Sequence, residues 1–364
     1  MPSNSIGERF VLTSFGESHG KCIGAVVDGC PAGLEFDEKD VQKMLDLRKP
    51  GQSKVSTQRK EGDIVEILSG VFRGHTTGAP ITMIVWNSDQ RSKDYEELTR
   101  KLRPGHSDYP AMIKYKKFND YRGGGRFSGR LTATQVMGGA VARKLLKKTL
   151  KIETNAFTKQ IGKIKLKTDL NSKQIKYIYS NEVRCPDEET ANQMRNEILN
   201  ARKKGDSLGG IIESITTNIP VGIGEPIFSS LESDISKAIF SIPSVKGIEF
   251  GSGFAGSELH GSENNDPYVL EKGRIVTRTN NSGGILGGIS NGMPIVFRAA
   301  FKPASSIAKN QKTIDVRTKK AVTLKVKGRH DPCVVPRAPP VVDSLVSVII
   351  ADHALRGGFI KPVL

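Results

Sequence analysis

The sequence predicts an α+β fold in one domain spanning residues 1–364. Three observations carry this expectation. Strand-like and helix-like segments do not alternate in a βαβ rhythm, which argues against a doubly wound sheet. No low-complexity linker or long internal period divides the chain into halves. At about 100–200 residues per domain, a chain of 364 residues is long enough for one large core as well as for two smaller ones.

Residues 10–13 and 23–27 read as short strands, separated by Gly16-Glu17-Ser18-His19-Gly20, a polar, glycine-flanked loop that carries a histidine. Asp37 is the predicted N-cap of a helix through Arg48, because Val41, Met44, Leu45 and Arg48 recur at helical spacing and Pro50-Gly51 stops it. Residues 64–72 and 81–86 read as β, punctuated by Gly70 and Gly78-Ala79-Pro80. A helix is predicted over 131–150 despite Gly138-Gly139 in its middle; each interior glycine costs about 1 kcal/mol against alanine, so this helix should be central and tightly packed. Residues 211–217 and 295–301 alternate like strands with one buried face. Leu231, Ile235, Ala238 and Ile239 mark an amphipathic helix, and Val342, Leu345, Val346, Ile349 and Ile350 mark a C-terminal one beginning after Pro339-Pro340. Residues 147–176 and 309–329 are read only as basic stretches.

Lys and Arg number 55 against 38 Asp and Glu, a net charge of +17, so an anionic partner is expected. Mean hydropathy is −0.33, which excludes a polytopic membrane protein. Residues 1–10 lack an apolar signal region, and the uncharged stretch 279–297 is rich in Gly, Asn and Ser, so neither export nor membrane insertion is expected and the cytoplasm is the default. Cys22, Cys30, Cys185 and Cys333 form no C-x-x-C pair and read as reduced packing residues. No metal is expected, since the one cluster with ligand chemistry is His330 with Cys333.

Three segments hold candidate chemistry, and a fourth only looks as if it does. His106 lies in Arg103-Pro104-Gly105-His106-Ser107-Asp108, shortly before a glycine-rich loop in which the guanidinium forks of Arg122, Arg126 and Arg130, with the loop amides, form a candidate anion cradle. Lys302-Pro303-Ala304-Ser305-Ser306 follows a predicted strand and offers an ammonium, two hydroxyls and successive amides to a phosphate. Gly328-Arg329-His330-Asp331-Pro332-Cys333, with Arg337 close behind, joins cations to a carboxylate that can serve as a base. Gly251-Ser252-Gly253-Phe254-Ala255-Gly256 matches a dinucleotide fingerprint in letters alone, because no apolar-periodic helix follows it.

In order along the chain, the loop 16–20, the stretch 103–108, Asp120-Tyr121-Arg122-Gly123-Gly124-Gly125-Arg126, Ser282-Gly283-Gly284-Ile285-Leu286-Gly287-Gly288-Ile289-Ser290, residues 302–306 and residues 328–333 resemble the signature blocks of the chorismate synthase family. The resemblance implies two antiparallel sheets sandwiching a helical core, a homotetramer, and a site holding reduced FMN against 5-enolpyruvylshikimate 3-phosphate. In that family phosphate leaves C3 and a proton leaves C6 without net redox change. The resemblance makes His106 the proton donor toward the leaving phosphate, His19 a proton source near the flavin, and Asp331, near flavin N5, a participant in removal of the C6 proton. It assigns flavin contacts to Arg126, Phe127, Ser128, Gly287, Lys302, Pro303, Ala304, Ser305, Ser306 and Arg329, and substrate contacts to Ser18, Arg48, Lys54, Arg130 and Arg337.

Four departures bear on those contacts. Lys54 stands where many members have Arg, Phe127 where many have Ser, Leu131 where many have Glu, and Pro243-Ser244 where many have Asn-Ala. Lysine keeps the charge without the bidentate fork, and phenylalanine offers no hydroxyl to a flavin. Two other readings compete. A basic RNA-binding module would interleave aromatics with cations, whereas aromatics are 6% of this chain with one Trp. A flavin oxidoreductase would need a nicotinamide site, and the sequence shows none, although Arg48 and Lys54 could meet a phosphate of NADPH, which stands as a candidate reductant.

Overall fold

The computed structural model describes residues 3–49, 51, 55, 62–88, 97–167, 170, 174–326 and 330–364, so Lys54 and Arg329 lie outside the described residues. Two five-stranded antiparallel sheets face each other across a layer of helices. The first sheet runs in the order Ser5–Ile6, Val11–Gly16, Cys22–Asp28, Ile81–Trp86, Val65–Ser69. The second runs Val245–Phe250, Ile295–Phe301, Gly210–Thr217, Glu153–Ile161, Ile164–Lys165. All pairings within both are antiparallel, as the absence of a βαβ rhythm predicts.

Helix α1 (Glu38–Arg48) begins where expected: the Asp37 side chain accepts from the Lys39 and Asp40 amides, and Asp40 returns the bond to the Asp37 amide. A short helix α2 (Asp108–Lys114) follows the His106 loop. Helix α3 (Thr132–Thr149) is as central as its glycines imply. A Cβ on Gly139 would sit 2.0 Å from Cβ of Ser344, and one on Gly138 would sit 2.5 Å from a methyl of Leu12. The glycine pair therefore lets α3 lie against the first sheet and the C-terminal helix together. Helix α4 (Glu188–Lys203) lies beside the second sheet, α5 (Leu231–Phe240) buries the four residues that predict it, and α6 (Gly261–Asn264) is a single turn.

Helix α7 (Pro339–Arg356) differs from expectation in two ways. The prolines are its first two residues instead of preceding it, since proline lacks only an N–H that the first turn leaves unused. It is also buried all round from Pro339 to Ala354, because α3, α5 and the Glu153–Ile161 and Gly210–Thr217 strands enclose it. A continuous hydrophobic cluster links both sheets to these helices. Within the first basic stretch lies the Glu153–Ile161 strand, hidden from periodicity by its polar residues. Thr154 and Thr158 are buried there because their hydroxyls are satisfied, by Thr216 at 3.1 Å and by the Val183 carbonyl at 2.6 Å. The second basic stretch contains the hairpin Gln311–Asp315 and Lys320–Leu324. Among the described residues no helix is long and apolar enough to cross a membrane.

One buried acid makes the core pH-sensitive. Burial pushes the Asp343 carboxyl on α7 up to about 7, against the pull of Arg143 at 3.3 Å. The folded chain thus holds this proton more tightly than the unfolded one, whose group keeps the ordinary value of 3.8, so the stabilisation is full below 3.8 and is lost as pH rises through 7. Asp343→Asn mimics the neutral acid, and its melting temperature relative to the parent should climb across that window. A gap between the two melting curves that stays constant with pH would remove Asp343 as the source.

Candidate active site

The ends of α1, α3 and α7 and the loops around them enclose a cavity of about 550 Å³. Its walls come from Arg48, the His106 loop, the loop 123–130, residues 240–246, residues 302–306 and residues 330–341. Of the predicted site residues, Arg48, His106, Arg126, Phe127, Ser128, Arg130, Lys302, Ala304, Ser305, Ser306, Asp331 and Arg337 line it. Far-apart segments of sequence thus meet at one place.

The floor is an ion cluster built on a residue that motif reading passed over. Asp63 accepts from Arg48 Nη2 through one oxygen and from Arg130 Nη1 through the other, each at 2.6 Å. Burial alone would raise the Asp63 carboxyl, but the charges and hydrogen bonds of Arg48 and Arg130 outweigh it and hold the group below the usual carboxylate range. Arg48 Nη1 also donates to Thr132 Oγ1 at 3.1 Å. Arg130 Nε donates to Asn87 Oδ1 at 2.8 Å, while Asn87 Nδ2 donates to the carbonyls of Glu17 and Gly20, so one amide joins the arginine cluster to the His19 loop.

His106 stands on a second built support. Its Nδ1 is 2.6 Å from Asp108 Oδ1, and Arg103 grips the same carboxylate through Nε at 2.9 Å and Nη2 at 2.7 Å. Burial would raise the Asp108 carboxyl, yet the hydrogen bonds from Arg103 and His106 hold it well below the usual range. Arg103 Nη1 reaches across to Ser306 Oγ at 3.1 Å. Lys302 Nζ donates to the Gly105 carbonyl at 2.7 Å and to Ser305 Oγ at 2.8 Å, tying residues 302–306 to the same loop. Burial, and then the nearby Lys246 charge, lower the Lys302 ammonium.

His19 is buried one layer behind the wall. Gly123, which lines the cavity with φ +58°, has no room for a side chain: a Cβ there would lie 2.0 Å from His19 Nδ1 and 2.8 Å from Ser18 Oγ. Ser18 is thus also second to the glycine loop and does not line the cavity. Asp331 lines it and pairs with Arg337 Nη1 at 2.6 Å, and Arg337 Nε donates to the Arg48 carbonyl at 3.4 Å.

Several expectations change. Arg122 is spent on Asp120, at 2.9 Å from both Nε and Nη2, and does not line the cavity. Arg126 lines it, but its fork donates to the Gly16 carbonyl, Asn4 Oδ1 and the Ser14 carbonyl, so it fastens the glycine loop to the first sheet. The Ser128 hydroxyl accepts from the Arg130 amide at 3.3 Å and begins the turn into α3. Pro303 is absent from the lining. Gly287 turns the hairpin Ile285–Leu286 to Ile289–Ser290, which Ser290 Oγ ties to the Pro220 carbonyl, and it is not among the lining residues. Asp63, Asn87 and Lys246 had no sequence signal, whereas Asp108, two residues after His106, carried a readable one.

A family model described as chorismate synthase matches residues 10–355. The chain is 54% identical over 356 residues to the chorismate synthase of Korarchaeum cryptofilum, covering 98% of each. It is 49% identical over 362 residues to those of Dehalococcoides mccartyi and Methanosarcina barkeri, covering all of this chain and 99% of each relative. A crystal structure of chorismate synthase superposes with a TM-score of 0.75 at 28% identity, covering 96% of this chain and 92% of the other. With motif order, sheet–helix–sheet architecture and cavity in agreement, the chain belongs to the chorismate synthase family.

Proposed function

We propose that this chain is a lyase that eliminates phosphate from 5-enolpyruvylshikimate 3-phosphate, with loss of the C6 proton, to give chorismate without net redox change. The observation that carries the reading is the charge of the cavity: Arg48, Arg130, Arg337, Lys246 and Lys302 line it, and Asp331 is the one acid among its described lining residues. A substrate with two carboxylates and a phosphate needs such a surplus in a water-poor site.

The same walls fit FMN. Lys302, Ser305 and Ser306 supply an ammonium and hydroxyls suited to a phosphate ester, the side-chain-free Gly123 surface admits a close approach, and Phe127 offers an aromatic face. The chemistry supplied by reduced FMN, when bound, is a transient loan of electron density to the substrate ring. The protein's own groups do the rest. Arg48 and Arg130, fixed by Asp63, orient the anionic substrate; His106 gives a proton to the departing phosphate; His19 holds a proton behind the glycine loop; Asp331, aimed by Arg337, takes the proton from C6. Lys54 and Arg329 remain proposed contacts to substrate and flavin.

We also propose a homotetramer, supported by the exposed apolar side chains of Phe228, Phe254, Leu270 and Ile275, and a cytoplasmic site of action, supported by cysteines that are free thiols. Burial pushes the thiols of Cys30 and Cys333 up to about 12, which keeps them protonated and inert. An anaerobic assay with chemically reduced FMN should release phosphate and chorismate in equal amounts without consuming NADPH. Stoichiometric NADPH oxidation with no phosphate release would favour the oxidoreductase reading instead. NADPH that supports turnover with oxidised FMN would show that the chain also reduces its own flavin.

A further inference from the structure

We propose that Asp108 is a positioning residue for His106: it accepts a hydrogen bond from Nδ1–H, so that the neutral ring is the Nδ1–H tautomer and Nε2 is the atom that gains and loses the proton. The consequence for turnover rests on the role given to His106 above; the tautomer does not.

Two groups compete for Nδ1. Asp108 Oδ1 is 2.6 Å away, and Arg103 Nη2 is 3.0 Å away. Guanidinium can only donate, so it would require a bare Nδ1 and a proton on Nε2; carboxylate can only accept, so it requires the opposite tautomer. The carboxylate contact is the shorter and the charge-assisted one, and it is the contact that the proposed tautomer satisfies. Arg103 is held by Asp108 and Ser306 through Nε, Nη1 and Nη2 whichever tautomer His106 takes, so its place does not depend on a bond to Nδ1.

The carboxylate is itself immobilised. Its Oδ2 accepts from the Arg103 amide at 3.0 Å and from Arg103 Nε, while Asp108 is the first residue of α2, so neither its backbone nor its side chain is free to swing. The hydrogen bonds that keep Asp108 ionised prevent it from taking the proton itself. Nε2 has no hydrogen-bond partner among the described residues and lies on the Gly124 side, in a residue that lines the cavity. In the transfer, the Nε2–H bond of imidazolium breaks, its electron pair stays on nitrogen, an O–H bond forms on the leaving phosphate, and Asp108 remains a carboxylate throughout.

The test uses the ligand-free full-length chain with 15N in its histidine rings, of which there are six, the His106 signals being identified by their loss in His106→Gln. At alkaline pH, where imidazole is neutral, His106 should show Nδ1–H in the parent and Nε2–H in Asp108→Asn, whose amide can donate to Nδ1. Asp108→Asn should lower kcat about 10- to 1,000-fold with KM within about 3-fold, and should add no more than about 2-fold to the loss in His106→Gln. An Nε2–H tautomer in the parent overturns the proposal even where Asp108→Asn fails to fold; so does a folded Asp108→Asn with parental kcat, or a loss that multiplies with that of His106→Gln. Parental activity in His106→Gln alone would instead strike the role given to His106 and leave the tautomer result standing.

Discussion

His106→Ala is expected to cut turnover about 10- to 10,000-fold while leaving the melting temperature nearly unchanged. The ring lies on a loop at the cavity wall, and its hydrogen-bond partners Arg103 and Asp108 keep each other when it is removed, so little of the fold depends on it. His19→Ala should lose turnover over the same range, but with a clear loss of stability, because this ring is buried against Gly123 and Ser18 and its removal leaves a cavity. The pair of variants therefore separates a histidine on the cavity wall from one buried behind it. Single-turnover kinetics with reduced FMN at saturating substrate, beside melting curves of the ligand-free chains, measure both quantities. Full turnover in either variant would end that histidine's chemical role. Equal melting temperatures would contradict the placement of His19 behind the glycine loop.

Those two histidines show what the sequence makes legible. Both sit in polar, glycine-flanked loops, and reading them as chemical and not as core residues needs only local pattern. Their burial is not local: His19 is enclosed because a loop a hundred residues later folds over it with three left-handed glycines, and no window of sequence contains that event. The same distinction runs through the fold. The α1 cap, the glycine pair of α3 and the two alternating, mutually paired strands of the second sheet declare themselves within a few residues. The Glu153–Ile161 strand and the all-round burial of α7 do not, since buried threonines need partners from other strands and a helix is recognised as fully enclosed only by what surrounds it. Charge was legible as a total and misleading in detail. Arg122 and Arg126 look like ligand grips in sequence, but one is held by Asp120 two residues away and the other by backbone carbonyls of the first sheet.

Asp63→Asn is expected to be the most disruptive change near the site. One buried carboxylate serves two guanidinium groups whose side chains are 1% and 5% exposed, those of Arg48 and Arg130. Asparagine keeps the shape but loses the charge, leaving two like charges close together in a region with little water. Removing one partner of a buried ionic cluster costs about 3–5 kcal/mol. The backbone adds no relief, because Asp63 has φ +47°, which asparagine tolerates as well as aspartate does. The pH dependence should change with it. The Asp63 carboxyl is held below its ordinary value of 3.8 in the folded chain, so its stabilisation is present above that pH and lost as pH falls below it, and the variant should lack this acid-side loss. A trianionic substrate restores negative charge between the same arginines. It should raise the melting temperature of Asp63→Asn by more than it raises that of the parent, although KM increases because the guanidinium groups are no longer aimed. Melting curves with and without substrate test this directly: equal increments in the two chains would mean that Asp63 holds the fold without shaping the anion site.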